Sequence, residues 1–516
     1  MNKKLSYEKH LLTILYNEEK INSQITIEDN SSINLKIQVS KEMYDELSSN
    51  KNEQLFYGKN EENHFSVKTL FIIRRSTTYS ASDSKNADEG LHYIEYICEY
   101  ALVNQHSFIN LAETGIDVIY FKCTGIDRIL GINAFNMITN KNFNMGEPNK
   151  VEITNNFYES MICENAENEK LAFISSMNTE STHNELIFRS NNIIALAFKN
   201  KCKIQDVRAK INNICNLLSV IYGEAIYPYD ISLQHDYGKY NLYGYYSKRK
   251  PSLNSILDST FNSDAYKTML LIKISEINNF EEIFINWNKW CSTNDLVIAS
   301  YRELISDYDE HLIYNRTFQK MISLLESYYK ERCHNIESDD IFKMKLEDIY
   351  RKVNLEEKEM LQGYLAYATD YSLLKLLKLL TRDSLHIIDE GLSKKEINKL
   401  TDKICKKMKD TRDILIHNPS SQELPLEIEE IINITHLYTF FFRILLLCEI
   451  GINKNIILHY LFSDPEFKHY LTKVYPEKTF EYKTEHLRND FEKGVWKKRA
   501  TLDSKCLLTV DYDSLK

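Results

Sequence analysis

The stretch SKKEINKLTDKICKKMKDTRDILIHNP, from Ser393 to Pro419, decides how the second half of the chain is read. Ser393 followed three residues later by Glu396 has the form of a capping box, in which each side chain satisfies the other's backbone N–H at a helix start. Ile397, Leu400, Ile404, Met408, Thr411 and Leu415 then recur at three- and four-residue steps, which is one face of a helix. Asn418 and Pro419 stop it, because the residue before a proline avoids helical dihedrals.

The pattern is helical from about Asp295 almost to the end. The spacing predicts helices from Leu296 to Tyr308 and from Arg316 to Arg332. A further one, opened by Asn354 with Glu357 three residues on, runs to about Leu380. Another spans Pro425 to Glu449, with Gly451 as its C-terminal cap. Helices joined by short connections make a bundle.

The first half reads differently. Ile25 to Ile27 and Ile33 to Val39 alternate apolar with polar residues. Phe65 to Ile73, Leu91 to Tyr100 and Val118 to Cys123 are rich in β-branched and aromatic residues. Strand-like runs follow at Val151 to Ile153, Lys170 to Ile174 and Glu185 to Arg189, and an amphipathic helix from Gln205 to Tyr222. Ser80 to Gly90 reads as a loop. The expected fold class is α+β. Residues 1–290 form a β-rich region, in one or two subdomains, 291–470 a helical bundle, and 471–516 a charged tail.

Composition narrows the function. A chain of 516 residues is long enough for about two to four domains. Only 13 Gly and 7 Pro are present, and neither G-x-G-x-x-G nor G-x-x-x-x-G-K-[ST] occurs, so an ATPase, GTPase or Rossmann dehydrogenase is disfavoured. The net charge of −10 excludes a protein basic throughout but not a local nucleic-acid patch. The 10 cysteines are scattered without a C-x-x-C pair. No signal peptide opens the chain, and the apolar run Tyr438 to Ile452 is broken by Arg443 and Glu449. A reducing cytoplasm is the expected setting.

The residues that bear chemistry close the opening stretch: Arg412, Asp413 and His417. Histidine can exchange a proton with a ribose 2′-OH or a leaving 5′ oxygen near neutral pH. Arginine offers a fixed cation to a phosphate on which charge is growing. On an ideal helix Arg412 and His417 point about 140° apart. Asp413 and His417 share a face, so Asp413 is placed to orient the imidazole or to hold a local network. Either the helix end distorts or a second copy completes the site. Spacing alone is not specific, since about one such pair arises by chance in this composition. An exposed arginine with a C-capping histidine is the other reading. Seven lysines crowd the preceding turns, among them Lys406 and Lys409, a basic face suited to RNA.

These residues resemble a HEPN domain, whose ribonuclease members carry arginine, a polar residue, three variable positions and histidine. The segment from Ile322 to Arg332, with Leu325, Glu326 and Tyr328, resembles an early helix of the ApeA-like HEPN group of bacterial anti-phage proteins. The resemblance implies a metal-independent, cofactor-free endoribonuclease of abortive-infection defence, acting as a homodimer or higher homo-oligomer. Such enzymes cleave RNA by attack of the 2′-OH, leaving a 2′,3′-cyclic phosphate and a 5′-OH. It implies His417 as the proton-transfer group, Arg412 as the phosphate stabiliser, Asp413 in the polar position, and Glu326 as a partner for Arg412 or a plain helix–helix salt bridge. Host or phage RNA, tRNA included, would be the substrate, and a phage-encoded trigger would act on the N-terminal region. The alternative is a non-catalytic, dimerising or partner-binding HEPN protein. A nucleotide-handling enzyme ranks third.

Other features carry less. Arg382 and His386 have only three residues between them and read as the end of the helix that Asn354 opens. Cys333 and His334 lack companion ligands at usable spacing. The tyrosines and cations from Tyr237 to Lys250 suit an exposed β-hairpin better than base stacking. Phe440 to Leu447 reads as bundle core or dimer interface.

Overall fold

A computed structural model describes residues 8–16, 19–27, 32–49, 53–78, 91–109, 115–130, 135–139, 151–155, 161–164, 169–181, 186–236, 238–244, 272–277, 279–309, 314–333, 344, 347–353, 358, 372–417 and 423–480. The expected loop from Ser80 to Gly90 lies outside the described residues, as do the start of the helix placed at Asn354 and the tail beyond residue 480.

The N-terminal region is β-rich. β1 (Glu8–Tyr16), β2 (Glu19–Ile27), β3 (Ile33–Val39), β4 (Leu55–Lys59), β5 (His64–Thr78) and β6 (Leu91–Asn104) pair antiparallel in the order β6-β3-β2-β1-β4-β5. β5 also pairs with β6, so these strands close into a ring. Strict alternation writes the inside of the ring. Ile33, Leu35, Ile37 and Val39 of β3 and Ile21, Ser23, Ile25 and Ile27 of β2 all point inward and are buried. Met43 and Leu47 of helix α1 (Lys41–Ser49) join the same core. Register shifts along β5, between Lys68 and Arg74, bend the strand so that it can serve β4 on one edge and β6 on the other.

β6 is the shared strand. It faces β5 from Leu91 to Asn104 on one edge; on the other, His92–Ile97 pairs with β3 and Ala101–Val103 with β14. From there a second limb runs through β14 (Gly238–Tyr243), β13 (Pro228–His235), β7 (Gly115–Cys123), β12 (Leu186–Lys203), β11 (Glu169–Ser181) and β10 (Met161–Glu164). The sequence suggested an exposed hairpin from Tyr237 to Lys250, of which residues 238–244 are described. β13 and β14 do form a hairpin, but β14 lies inside the sheet and Tyr240 is buried. Helix α2 (Ile126–Leu130) and a small two-stranded sheet of β8 (Phe135–Thr139) and β9 (Val151–Asn155) complete this part. Helix α3 (Ile204–Tyr222) buries Val207, Ile211, Ile214, Leu217, Leu218 and Ile221, one apolar stripe.

The described residues fall into two compact units. One holds the strands and α3 up to Cys215; the other holds Asn216–Ala225 and the later helices. The second is all helical apart from its connections: α4 (Phe280–Asp309), α5 (Tyr314–Cys333), α6 (Leu373–Ile388), α7 (Lys394–His417), α8 (Ile428–Glu449), α9 (Lys454–Ser463) and α10 (Pro465–Val474). α4 starts well before the expected Leu296, because Asn294 (φ −129°, ψ 30°) interrupts a longer helix whose first half carries Ile283, Phe284, Trp287 and Trp290 into the core. α6 continues past the expected Leu380 to Ile388 and contains Arg382 and His386.

α8 is the core of the bundle, packed on α5, α6, α9 and α10. It is the one helix among the described residues long and apolar enough to cross a membrane, and most of it is buried. Phe440, Phe441, Phe442 and Leu447 are buried within the single chain. Its end is a Schellman motif: Ile452 N–H donates to Leu447 O at 2.9 Å, Gly451 N–H donates to Cys448 O at 3.1 Å, and Gly451 has φ +99°.

Candidate active site

The site is built on α7, which is held at its start by the expected capping box. Ser393 N–H donates to Glu396 Oε2 at 2.9 Å, and Glu396 N–H donates to Ser393 Oγ at 3.3 Å. Ile397, Thr401, Cys405, Met408 and Thr411 turn into the bundle and fix the helix's rotation. That rotation leaves Lys406 exposed and Lys409, Arg412 and Asp413 half-buried at the margin. α7 packs on α5 and α6, which brings the motif beside Glu326 of α5.

A ladder of alternating charge runs across the two helices. Arg412 Nη1 donates to Asp413 Oδ1 at 3.1 Å, and Arg412 Nη2 lies 3.8 Å from Glu326 Oε2. The other oxygen of Asp413 accepts from Lys409 Nζ at 2.8 Å, and Lys409 also reaches Asp410 Oδ1 at 3.5 Å. Glu326 Oε1 is held from the far side by Lys330 Nζ at 3.0 Å. Partial burial pushes the Asp413 carboxyl up, but hydrogen bonds from Lys409 and Arg412 outweigh it and hold the carboxyl below its ordinary value. The hydrogen bond to Asp413 correspondingly raises the pKa of Lys409.

His417 is the last residue of α7 and is exposed. It makes no hydrogen bond or ion pair with another described residue. Asp413 is four residues from both Lys409 and His417, and it pairs with the lysine. The sequence put the imidazole in competition for that carboxylate; a flexible ammonium one turn earlier takes it instead. Lys330 was missed altogether, although Glu326 and Lys330 stand at the four-residue spacing that pairs opposite charges on a helix.

Arg382 donates to Asn398 Oδ1 at 3.2 Å, and its neighbour Asp383 accepts from Tyr329 OH, so this segment braces α6 against α7 and α5. The side chains of Cys333 and His334 lie outside the described residues. In the β-rich unit Asp117, His235 and Asp236 lie close enough to share a cation. Lys201 Nζ already stands 2.6 Å from Asp236 and 3.8 Å from Asp117.

These two architectures and their motifs correspond to known families. A model of ApeA N-terminal domain 1 matches residues 13–287, more than half of the chain. A model of the Apea-like HEPN domain matches residues 320–456, which include Glu326, Lys409, Arg412, Asp413 and His417. The helical region is therefore a HEPN domain. The chain as a whole belongs to the ApeA-like HEPN family of anti-phage defence proteins. Neither a curated protein nor a solved structure matches it.

Proposed function

We propose that the protein is a metal-independent endoribonuclease of abortive-infection defence. In this reading the 2′-OH oxygen of a ribose attacks the adjacent phosphorus and the P–O5′ bond breaks. A 2′,3′-cyclic phosphate and a 5′-OH result. His417 exchanges the proton, taking it from the 2′-OH or giving it to the 5′ oxygen. Arg412 stabilises the phosphorane-like charge; in the resting chain Asp413 and Glu326 hold its guanidinium from two sides. Lys406, exposed on the same helix, meets RNA phosphates.

The observation that carries this reading is the contrast at the end of α7: a histidine open to solvent one turn beyond an arginine that two carboxylates hold at the domain surface. A C-capping histidine folded onto its own helix would have favoured the other reading. No hydrogen bond joins Arg412 and His417 within one chain, which supports completion of the site across a homodimer, the usual assembly of HEPN domains. The β-rich region would sense a phage-encoded trigger in the cytoplasm, and the RNA, tRNA among the candidates, would be cleaved on release. The rival reading, a partner-binding HEPN module, draws on the same ion pairs, since the contact between Arg412 and Glu326 also joins α5 to α7.

The test is made in cells. Wild type and His417→Ala are expressed from a tight promoter with and without phage infection, and new 5′-OH RNA ends are mapped. Cleavage by the wild type alone is the expected result. Identical RNA profiles for two folded, abundant proteins across a panel of phages would end the nuclease reading.

A further inference from the structure

Lys409 and Arg412 converge on one anion. Each takes a different oxygen of the Asp413 carboxylate, at 2.8 Å and 3.1 Å. The two non-bridging oxygens of a phosphodiester are spaced much like those of a carboxylate, so cations set for one are set for the other. Lys409 precedes Arg412 by three residues and so lies about one turn earlier on the same helix. The helix backbone thus sets their relation, with no need of a second copy. Both side chains are partly open to solvent, 38% for Lys409 and 26% for Arg412, so a phosphate has access. Glu326, tied back by Lys330, holds Arg412 from the other side and keeps the guanidinium from swinging away when Asp413 leaves it.

We propose that Lys409 and Arg412 form a phosphate cradle, and that Asp413 fills it in the resting chain as an internal anion that RNA must displace. The identity of the ligand as an RNA phosphodiester rests on the nuclease reading; the cradle itself rests on the geometry. Asp413 then opposes binding. Weak or singly charged anions fail to dislodge it, whereas a polyanion anchored elsewhere on α7, at Lys406 for instance, supplies its phosphate at high local concentration. The polar position of the motif would therefore set a threshold for the substrate rather than orient the histidine.

The two roles make opposite predictions. The probe is a fluorescein-labelled single-stranded RNA oligonucleotide that is 2′-O-methylated throughout. It lacks the attacking hydroxyl and survives in the presence of active enzyme. Its binding to the full-length protein is measured by anisotropy over a range of salt for the wild type, Asp413→Asn, Lys409→Gln and the double variant. Asp413→Asn should bind about three- to tenfold tighter, the scale expected when partly exposed ion pairs are released. Its logarithmic salt slope should steepen by about 0.7, one further phosphate contact on a single strand. Lys409→Gln should weaken binding, and the double variant should lose the gain.

Equal or weaker binding by Asp413→Asn overturns the proposal, as does a gain that survives removal of Lys409, or the absence of binding by every variant. Cleavage of unmodified RNA is followed in parallel. Cleavage that depends on His417, without a tighter Asp413→Asn variant, sinks the cradle and leaves the nuclease standing. A tighter variant in a protein that cuts no RNA does the reverse.

Discussion

Helices α7 and α8 belong to one bundle and are nearly equal in length, 24 and 22 residues, yet they treat the same residue types in opposite ways. Each carries an arginine and a histidine. On α7, Arg412 sits at the surface among carboxylates and His417 is exposed. On α8, Arg443 is only 2% exposed; the charges of Asp464 and Glu224 act on it, and two of its nitrogens are turned onto backbone. Its Nε donates to Val220 O at 2.9 Å and its Nη2 to Ile221 O at 3.0 Å, capping the last turn of α3. Gly223 makes room for it: a Cβ there would run into the guanidinium, and the φ of +91° already favours glycine. His436 of α8 stacks on Tyr470 with ring centroids 4.7 Å apart, and burial pulls its pKa down to about 4. An arginine and a histidine do not define a site. What they face does: the pair on α7 can still exchange partners, while the pair on α8 is committed to holding the fold.

Substitutions on the two helices should differ in cost, and Arg443 should show the greatest loss. Arg443→Met should lower stability by about 2–4 kcal/mol, because it orphans two buried carbonyls at about 1–3 kcal/mol each. A loss below about 1 kcal/mol in urea melts would mean that the carbonyls find other partners, and that Arg443 is no structural cap.

His436 supplies the next. Its folded pKa of about 4 lies below the ordinary 6.5, so under pH 6.5 the unfolded chain takes up a proton that the folded one refuses. Stability should therefore fall as pH drops from 6.5 towards 4, by about 1–2 kcal/mol at pH 5. His436→Phe keeps the stack on Tyr470 and should flatten that part of the pH–stability curve. A wild-type curve level from pH 7 to 5 would show the imidazole to be less buried than described.

On α7 the effects should be smaller. Ser393→Ala removes the N-cap and should cost on the order of 1 kcal/mol. Smallest of all is Lys407→Gln, which breaks the pair with Glu430 at 2.9 Å and should cost less than about 0.5 kcal/mol, since both side chains are a third or more exposed. If Lys407→Gln cost as much as Arg443→Met, the distinction between a surface helix and a core helix would fail.

Legibility in the sequence followed the range of the interactions. β2, β3 and β6 were readable because one face is buried and alternation marks it. β1 was not, since Leu11 and Leu12 are adjacent and Leu11 and Leu15 stay exposed at 77% and 61%. Five-residue β4 carries too little pattern of its own, and it completes the ring through only Lys59 and Gly58 against Thr13 and Ile14. In the helical region the capping box at Ser393 and the glycine at 451 were visible, because both act within a few residues. Arg443 could be noticed only as a charge in an apolar run. Its partners lie more than 200 residues earlier in the chain.

The candidate site divides along the same line. The spacing of Arg412, Asp413 and His417, the helix that carries them and the Glu326 segment were all present in the sequence. They depend on side-chain chemistry and on a helical repeat that each residue shares with near neighbours. Which cation Asp413 would take, which helix would present a carboxylate to Arg412, and which of two arginines would stay at the surface were settled only by tertiary structure. Those outcomes depend on which face of α7 the bundle buries, and burial is a property of surfaces brought together from distant parts of the chain.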